Sequence, residues 1–264
     1  MNLELLNYID YESCIAIIPA RGGSKTVPKK NIRRVWGHPL VAYSIVAAKL
    51  TKRIQRVIVS TDSLEIGEIA RAYGADVPFL RPSKYAQDNS ADIDFMRHAI
   101  QWLYENEGKI PEYIVHMRPT TPIRSPQVID DAIFKIQSNL EATSLRSGHL
   151  CHHPPYKWFK DNGKYWGPLI SGMTCDEVNM PRQDFPAIYI PNGYVDIVKT
   201  DFIIKSDLMH GDKMIGYITN EIPDIDTEMD LKKLLAFDDF KEDIITLREN
   251  LEDRCRGSKD EKLC

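Results

Sequence analysis

Long apolar runs, paired cysteines and an excess of positive charge are all missing from this 264-residue chain. No uninterrupted apolar stretch approaches the ~20 residues needed to span a bilayer. The first residues, Met1-Asn2-Leu3-Glu4, lack the basic-then-apolar order of a secretion signal. A cytoplasmic protein with no membrane partner is therefore expected. The five cysteines, at 14, 151, 175, 255 and 264, form no Cys-x-x-Cys pair. That spacing excludes the usual structural zinc site and fits a reducing compartment. Cys151, His152 and His153 are adjacent, so their side chains point apart, and an ordinary loop is expected there. A formal charge of -4 removes any general electrostatic case for nucleic acid, so positive charge matters only where it clusters. Four catalytic signatures are also absent: Gly-x-x-x-x-Gly-Lys-Ser/Thr, Gly-x-Gly-x-x-Gly, His-Glu-x-x-His and Gly-x-Ser-x-Gly.

What is present is a cationic loop. An apolar run from Cys14 to Ile18 ends in Pro19-Ala20-Arg21-Gly22-Gly23-Ser24-Lys25-Thr26-Val27-Pro28-Lys29-Lys30-Asn31. A buried strand of an α/β sheet delivers its C-terminal end to a ligand in this way. The glycines permit tight turning and close approach, and backbone N–H groups can face phosphate oxygens. Arg21, Lys25, Lys29 and Lys30 add charge, so the loop reads as a polyphosphate binder.

The first 140 residues repeat strand, polar loop and helix three times. Strands are expected at 14–19, 56–62 and 113–117, and helices at 40–50, from about 62 to 73, at 92–106 and at 126–138. Crossovers of this length favour a mostly parallel sheet with flanking helices. The polar loops after the strands, including 81–92 and Arg118-Pro119-Thr120-Thr121-Pro122-Ile123-Arg124, should converge on one edge. Residues 1–13 are expected as an N-terminal extension and 14–236 as the main domain. The segment 142–182 breaks the rhythm. It concentrates aromatics around Asp161-Asn162-Gly163-Lys164, a hairpin turn candidate, and such a β arm suggests a covered oligomer interface. Asn192-Gly193 serves either as a turn or as a close backbone approach to a ligand. Residues 237–264 are expected as a C-terminal helix, with Ile244, Leu247 and Leu251 as its apolar stripe, fraying from Gly257.

Asp224 and Asp226 flank Ile225 in an extended segment, where alternate side chains share a face. Two such carboxylates can hold one Mg²⁺ that also contacts phosphates. Alternatively, Asp226 or Thr227 caps the following helix. A cationic loop and a carboxylate pair together point to phosphoryl or nucleotidyl transfer, in which the protein stabilises charge and aligns an attacking oxygen. An enzyme using sugar 1-phosphates, or a non-catalytic nucleotide-binding protein, shares part of this signature.

The motifs Ile18-Pro19-Ala20-Arg21-Gly22-Gly23-Ser24-Lys25, Pro28-Lys29-Lys30-Asn31, Val59-Ser60-Thr61-Asp62, Leu80-Arg81-Pro82, Arg182-Gln183-Asp184, Asn192-Gly193 and Asp224-Ile225-Asp226-Thr227-Glu228, in this order, resemble the CMP-sialic acid synthetase family. The resemblance runs from about 15 to 236. It implies a Rossmann-like nucleotidyltransferase fold with an inserted β dimerisation arm, and transfer of CMP from CTP to a nonulosonic acid. It implies Arg21 and Lys25 as catalytic groups on the triphosphate. Ala20, Gly22, Gly23, Ser24, Lys30, Asn31 and Arg81 are implied around the nucleotide. Asp224 and Asp226 would hold Mg²⁺. Arg118, Thr120, Arg182, Gln183 and Asn192 would face the acid, with the arm completing the neighbouring site of a homodimer. Two departures stand out: Thr26 replaces the usual Gly, and Arg118 replaces the usual Gln. Arg118 would place a cation and five donors where an amide both donated and accepted.

Overall fold

The computed structural model describes residues 1–236, 246–247 and 249–252. The strands, in chain order, are β1 (Ile9–Pro19), β2 (Arg34–Val35), β3 (His38–Pro39), β4 (Arg56–Ser60), β5 (Ile110–His116), β6 (Ser144–Leu150), β7 (Phe159–Asp161), β8 (Trp166–Pro168), β9 (Tyr189–Lys199) and β10 (Met214–Ile218). The helices are α1 (Leu40–Leu50), α2 (Leu64–Ala72), α3 (Asp92–Glu107), α4 (Pro126–Gln137), α5 (Thr200–Ser206) and α6 (Glu228–Leu235). Six strands form the central sheet in the order β10-β6-β9-β5-β1-β4. β9 is antiparallel to both neighbours and every other pairing is parallel. A helical connection lies between each pair of parallel partners, as right-handed crossover units require.

The core has two faces because the sheet is covered on both sides. Ala16, Ile18, Val57 and Val59 face a layer that includes α1, α2, α4 and α6. Ile15, Ile17, Ile58 and Ile114 face α3, α5 and the N-terminal turn. Successive residues of one strand thus serve opposite layers, which is why β1 reads as an unbroken apolar run. Complete burial of an isoleucine on either face contributes about 2 kcal/mol.

The expected N-terminal extension is instead part of this core. β1 starts at Ile9, pairs with Ile110 and passes through an irregularity between Asp10 and Cys14. Leu5 is buried in the layer with Ile9 and Phe95. The polar run Asp10 to Ser13 hides the strand from a hydrophobicity pattern, because here the strand faces solvent. The arm also begins later than expected. Residues 144–150 are a full strand of the sheet, and Leu150 lies opposite Tyr189. The excursion is therefore 151–188. It carries the small β7–β8 hairpin at the anticipated turn and a Tyr156–Phe185 ring stack. Asn192-Gly193 is not a hairpin turn. It sits inside β9 at a register irregularity, and Gly193 takes the left-handed backbone, φ +65, that a β-bulge uses. In the tail, residues 246–247 and 249–252 are helical, and Leu247 and Leu251 are buried. Ile244 and the expected frayed end lie outside the described residues.

Candidate active site

Register alignment brings the expected loops to one edge. Pro19 lies opposite Ser60, and Ile17 opposite His116. The loops that follow β1, β4 and β5 therefore emerge side by side. Between them opens a cleft of about 510 Å³, lined by Arg21, Ser24, Lys25, Thr26, Lys30, Asn31, Arg81, Arg118, Thr120 and Asp226 among others. A volume in the ordinary ligand-site range and a lining this polar suit a charged small molecule.

The cationic loop is closed by specific bonds. Ala20 N–H donates to the Ser60 carbonyl at 2.9 Å. Gly22 N–H donates to Asp62 Oδ1 at 2.8 Å, and Asn31 Nδ2 donates to the Arg21 carbonyl at 2.8 Å. Asn31 is thus the clasp of the loop, with its amide nitrogen already engaged. The glycines work by size rather than by special backbone angles, since neither has positive φ. A Cβ on Gly22 would lie 3.2 Å from Ser63 Cβ, whereas one on Gly23 would meet nothing within 4 Å. Gly22 allows the loop to press on the start of α2, and Gly23 faces open space. Thr26 likewise needs no left-handed backbone, so its replacement of glycine introduces no strain there. The one loop residue that does adopt that conformation is Lys29, φ 54, whose ammonium reaches both oxygens of Glu65 at 3.0 Å.

The charges are paired across the cleft. Asp88 Oδ1 accepts from Arg21 at 2.9 Å, and its other oxygen pairs with Lys25. The Lys25 hydrogen bond holds the Asp88 carboxyl below its ordinary range. Lys30 donates to the Ile225 carbonyl at 3.0 Å and to Asp226 Oδ1 at 3.1 Å. Arg81 is buried, bonds Ser60 through its side chain, and stacks over Phe95 at 4.7 Å. Burial pushes its pKa down to about 10, so it stays charged at neutral pH. Arg118 lines the cleft but is not the bare cation its sequence position suggested. It donates to Asp196 Oδ2 at 2.7 Å and to Asp92 Oδ2 at 2.8 Å. Burial alone would lower its pKa, but the two carboxylates outweigh that and hold it above the ordinary value.

Asp224 and Asp226 do not line the same wall. Asp226 faces the cleft with the cations, while Asp224 borders a second cavity of about 620 Å³ with Asn192, His149 and Lys233. No group of three or more histidine, cysteine or carboxylate side chains suited to a metal occurs among the described residues. Asp226 alone still fits a Mg²⁺, which binds through one or two carboxylates plus phosphate oxygens and water. Thr227 and Asp230 form the reciprocal cap of α6, which leaves the Asp226 carboxylate exposed at the mouth.

Asn192 is spent on the fold. Its oxygen accepts from Ser147 Oγ at 2.9 Å and from Tyr194 N–H at 3.2 Å, and its nitrogen donates to Thr219 Oγ1 at 2.6 Å. Arg182 and Gln183 are exposed on the arm and do not line the cleft, and Arg182 lies 3.2 Å from His152 Nδ1. Sequence reasoning passed over Asp88, Asp92 and Asp196, and named Asp62 only within a strand-end motif. Each is a carboxylate far along the chain from the arginine, lysine or amide it holds, so no local spacing announces it.

Residues 15–157 match the family model described as cytidylyltransferase. A post-translational flagellin modification protein B of Campylobacter coli is 31% identical over 83% of this chain and 92% of its own length. A CMP-N,N'-diacetyllegionaminic acid synthase of Legionella pneumophila is 30% identical over 82% and 92%. The N-acylneuraminate cytidylyltransferase of Escherichia coli is 30% identical over 94% of this chain, which spans 57% of that longer protein. Among solved structures, a CMP:2-keto-3-deoxy-manno-octonic acid synthetase complexed with CTP superposes with a TM-score of 0.63 at 15% identity, covering 85% of this chain and 97% of its own. At that identity the likeness concerns the fold alone, and it is that of a Rossmann-like nucleotidyltransferase. By the family match and the near full-length relatives, this chain belongs to the cytidylyltransferase family.

Proposed function

We propose that this protein is a Mg²⁺-dependent cytidylyltransferase that joins CMP from CTP to the anomeric hydroxyl of a nonulosonic acid of the sialic, legionaminic or pseudaminic type. The observation that carries the proposal is the convergence of Arg21, Lys25 and Lys30 with Asp226 in one cleft at the strand ends. The names of the relatives supply the acceptor class. The sugar hydroxyl oxygen attacks the α-phosphorus, the bond to the β-phosphate oxygen breaks, and pyrophosphate leaves with its added negative charge. The hydroxyl proton passes to solvent. Arg21 and Lys25 hold the β- and γ-phosphates and stabilise that charge, and Lys30 supports the α-phosphate. Asn31 and Arg81 shape the nucleoside end. Asp226 holds the Mg²⁺, which when bound draws charge from the phosphate oxygens.

The acid lies toward Arg118 and Thr120. Its remaining contacts come from Arg182 and Gln183 of a second copy, since the arm carries these away from the cleft of their own chain. Trp166 and Tyr165, 71% and 70% exposed, supply the arm with the apolar surface that a homodimer would cover. The enzyme acts in the cytoplasm, making an activated sugar for surface glycans.

Pyrophosphate release tests the proposal, measured with Mg²⁺ across CTP, GTP, UTP and ATP against nonulosonic acids and sugar 1-phosphates. Release with CTP and a nonulosonic acid is expected, and release only with a sugar 1-phosphate would replace the acceptor assignment. Asp226→Asn should abolish release with the fold intact, and Lys25→Ala should weaken CTP binding. An unchanged rate in Asp226→Asn would remove Asp226 from the metal site.

A further inference from the structure

The cleft contains a carboxylate that the proposed reaction does not use. Asp88 divides its two oxygens between the two cations assigned to the triphosphate, one to Arg21 and one to Lys25. A carboxylate bridging two cations occupies them much as a phosphate group would. The loop that carries Asp88 does not need this contact to hold its shape. Arg81 N–H donates to the Thr61 carbonyl and anchors one end. Gln87 N–H donates to Ser90 Oγ at 3.0 Å, Gln87 Nε2 to the Ser83 carbonyl at 2.7 Å, and Ser90 Oγ to the Lys84 carbonyl at 3.1 Å. The other end runs into α3, where Ala91 N–H donates to Asp94 Oδ2 at 3.2 Å. Asp88 is thus a charge presented by a self-supporting loop, and among the described residues its ion pairs go to Arg21 and Lys25.

We infer that Asp88 sets which anions the site retains, by competing for Arg21 and Lys25 with the phosphate groups left after transfer and so promoting their release. The inference rests on the proposal that these two cations hold the triphosphate. A triphosphate carries enough charge to displace one exposed carboxylate. Pyrophosphate whose metal has left, and a nucleotide with a single phosphate, face a competitor tethered a few ångströms away, at a high effective concentration. Asp226 on Lys30 differs, because it keeps a role as a metal ligand once substrate is bound. Exposed ion pairs each shift an equilibrium by a factor of about 1.4 to 5. Freeing both cations should therefore tighten anion binding about two- to twenty-five-fold.

The test is calorimetric titration of the full chain and its Asp88→Asn and Asp88→Glu variants with inorganic pyrophosphate and with CTP, at low salt and in 0.5 M salt. Thermal unfolding serves as the check on folding. Asp88→Asn should bind pyrophosphate about two- to twenty-five-fold tighter, with stronger product inhibition, and the gain should shrink at high salt. Asp88→Glu should stay near the parent. Pyrophosphate binding in Asp88→Asn that is equal to or weaker than the parent's would overturn the inference, leaving Asp88 a scaffold of the loop. A parent protein that binds neither pyrophosphate nor CTP would overturn the proposed function, and this inference with it.

Discussion

Replacing Arg118 with glutamine restores the residue that this family motif usually carries, yet it should be among the more damaging single changes in the protein. The arginine is the centre of a charged bridge. It donates to Asp92 at 2.8 Å and to Asp196 at 2.7 Å, and Asp196 is fully buried. Without Arg118, the nearest cation to Asp196 among the described residues is Arg146, at 3.7 Å. Removing one partner of a buried ion pair costs about 3–5 kcal/mol, because the remaining charge is desolvated and uncompensated. The Arg118 side chain is 25% exposed, so water recovers part of that, and about 3 kcal/mol is expected. In a chain of this size that corresponds to a fall in Tm of roughly 6–12 °C. The assay is thermal unfolding of Arg118→Gln, Asp196→Asn and the double variant. Because Asp196→Asn deletes the stranded charge, the double variant should recover a coupling energy of about 2 kcal/mol. A Tm for Arg118→Gln within about 2 °C of the parent, or a double variant no more stable than Arg118→Gln, would refute the reasoning.

Two further outcomes follow from buried groups and close contacts. His116 is fully buried against Phe95, among Asp92, Asp196, Arg118 and Arg124, and burial pushes its pKa from 6.5 down to about 3. Between those values the unfolded chain binds more protons than the folded one, so stability falls as pH drops below 6.5, by at most about 1.4 kcal/mol per unit. His116→Phe should reduce the slope of the urea midpoint between pH 5 and 6.5, and an identical slope would count against it. Gly22→Ala should push the cationic loop off the start of α2 and weaken CTP binding by about tenfold, with little change in Tm, as read by titration. Equal affinity would mean that the loop absorbs a methyl group at 3.2 Å from Ser63 Cβ.

The sheet and its crossovers were legible because burial on two faces writes itself as continuous apolar strands, such as Cys14 to Ile18, between amphipathic helices. The cationic loop at the end of β1 was legible for the same local reason, since its cations lie within ten residues of one another. The start of β1 is not legible, because Ile9 and Asp10 pair with β5 ahead of an irregular, solvent-facing stretch at 11–13 that carries no apolar pattern. Asn192-Gly193 carries the composition of a turn, but here the glycine's left-handed angle serves a bulge, and the asparagine ties β9 to Ser147 and Thr219. The partners of the site's cations could not be read locally. Asp88, Asp92 and Asp196 stand 67, 26 and 78 residues from Arg21, Arg118 and Arg118 respectively, and only the fold brings them together. Asp224 and Asp226 are the reverse case: they alternate in sequence, yet Asp226 lines the cleft and Asp224 the second cavity.

Leu150 and Tyr189 face each other across neighbouring strands, with the whole of 151–188 strung between them. The arm is therefore topologically a hairpin loop, however long. Exchanging it for a two-residue turn would leave every strand neighbour in place and would lower the cost of closing that loop by about 2–3 kcal/mol. The strand order and register of the sheet therefore do not depend on the length of the arm. The arm can lengthen, shorten or change its surface without disturbing the register that places the cationic loop.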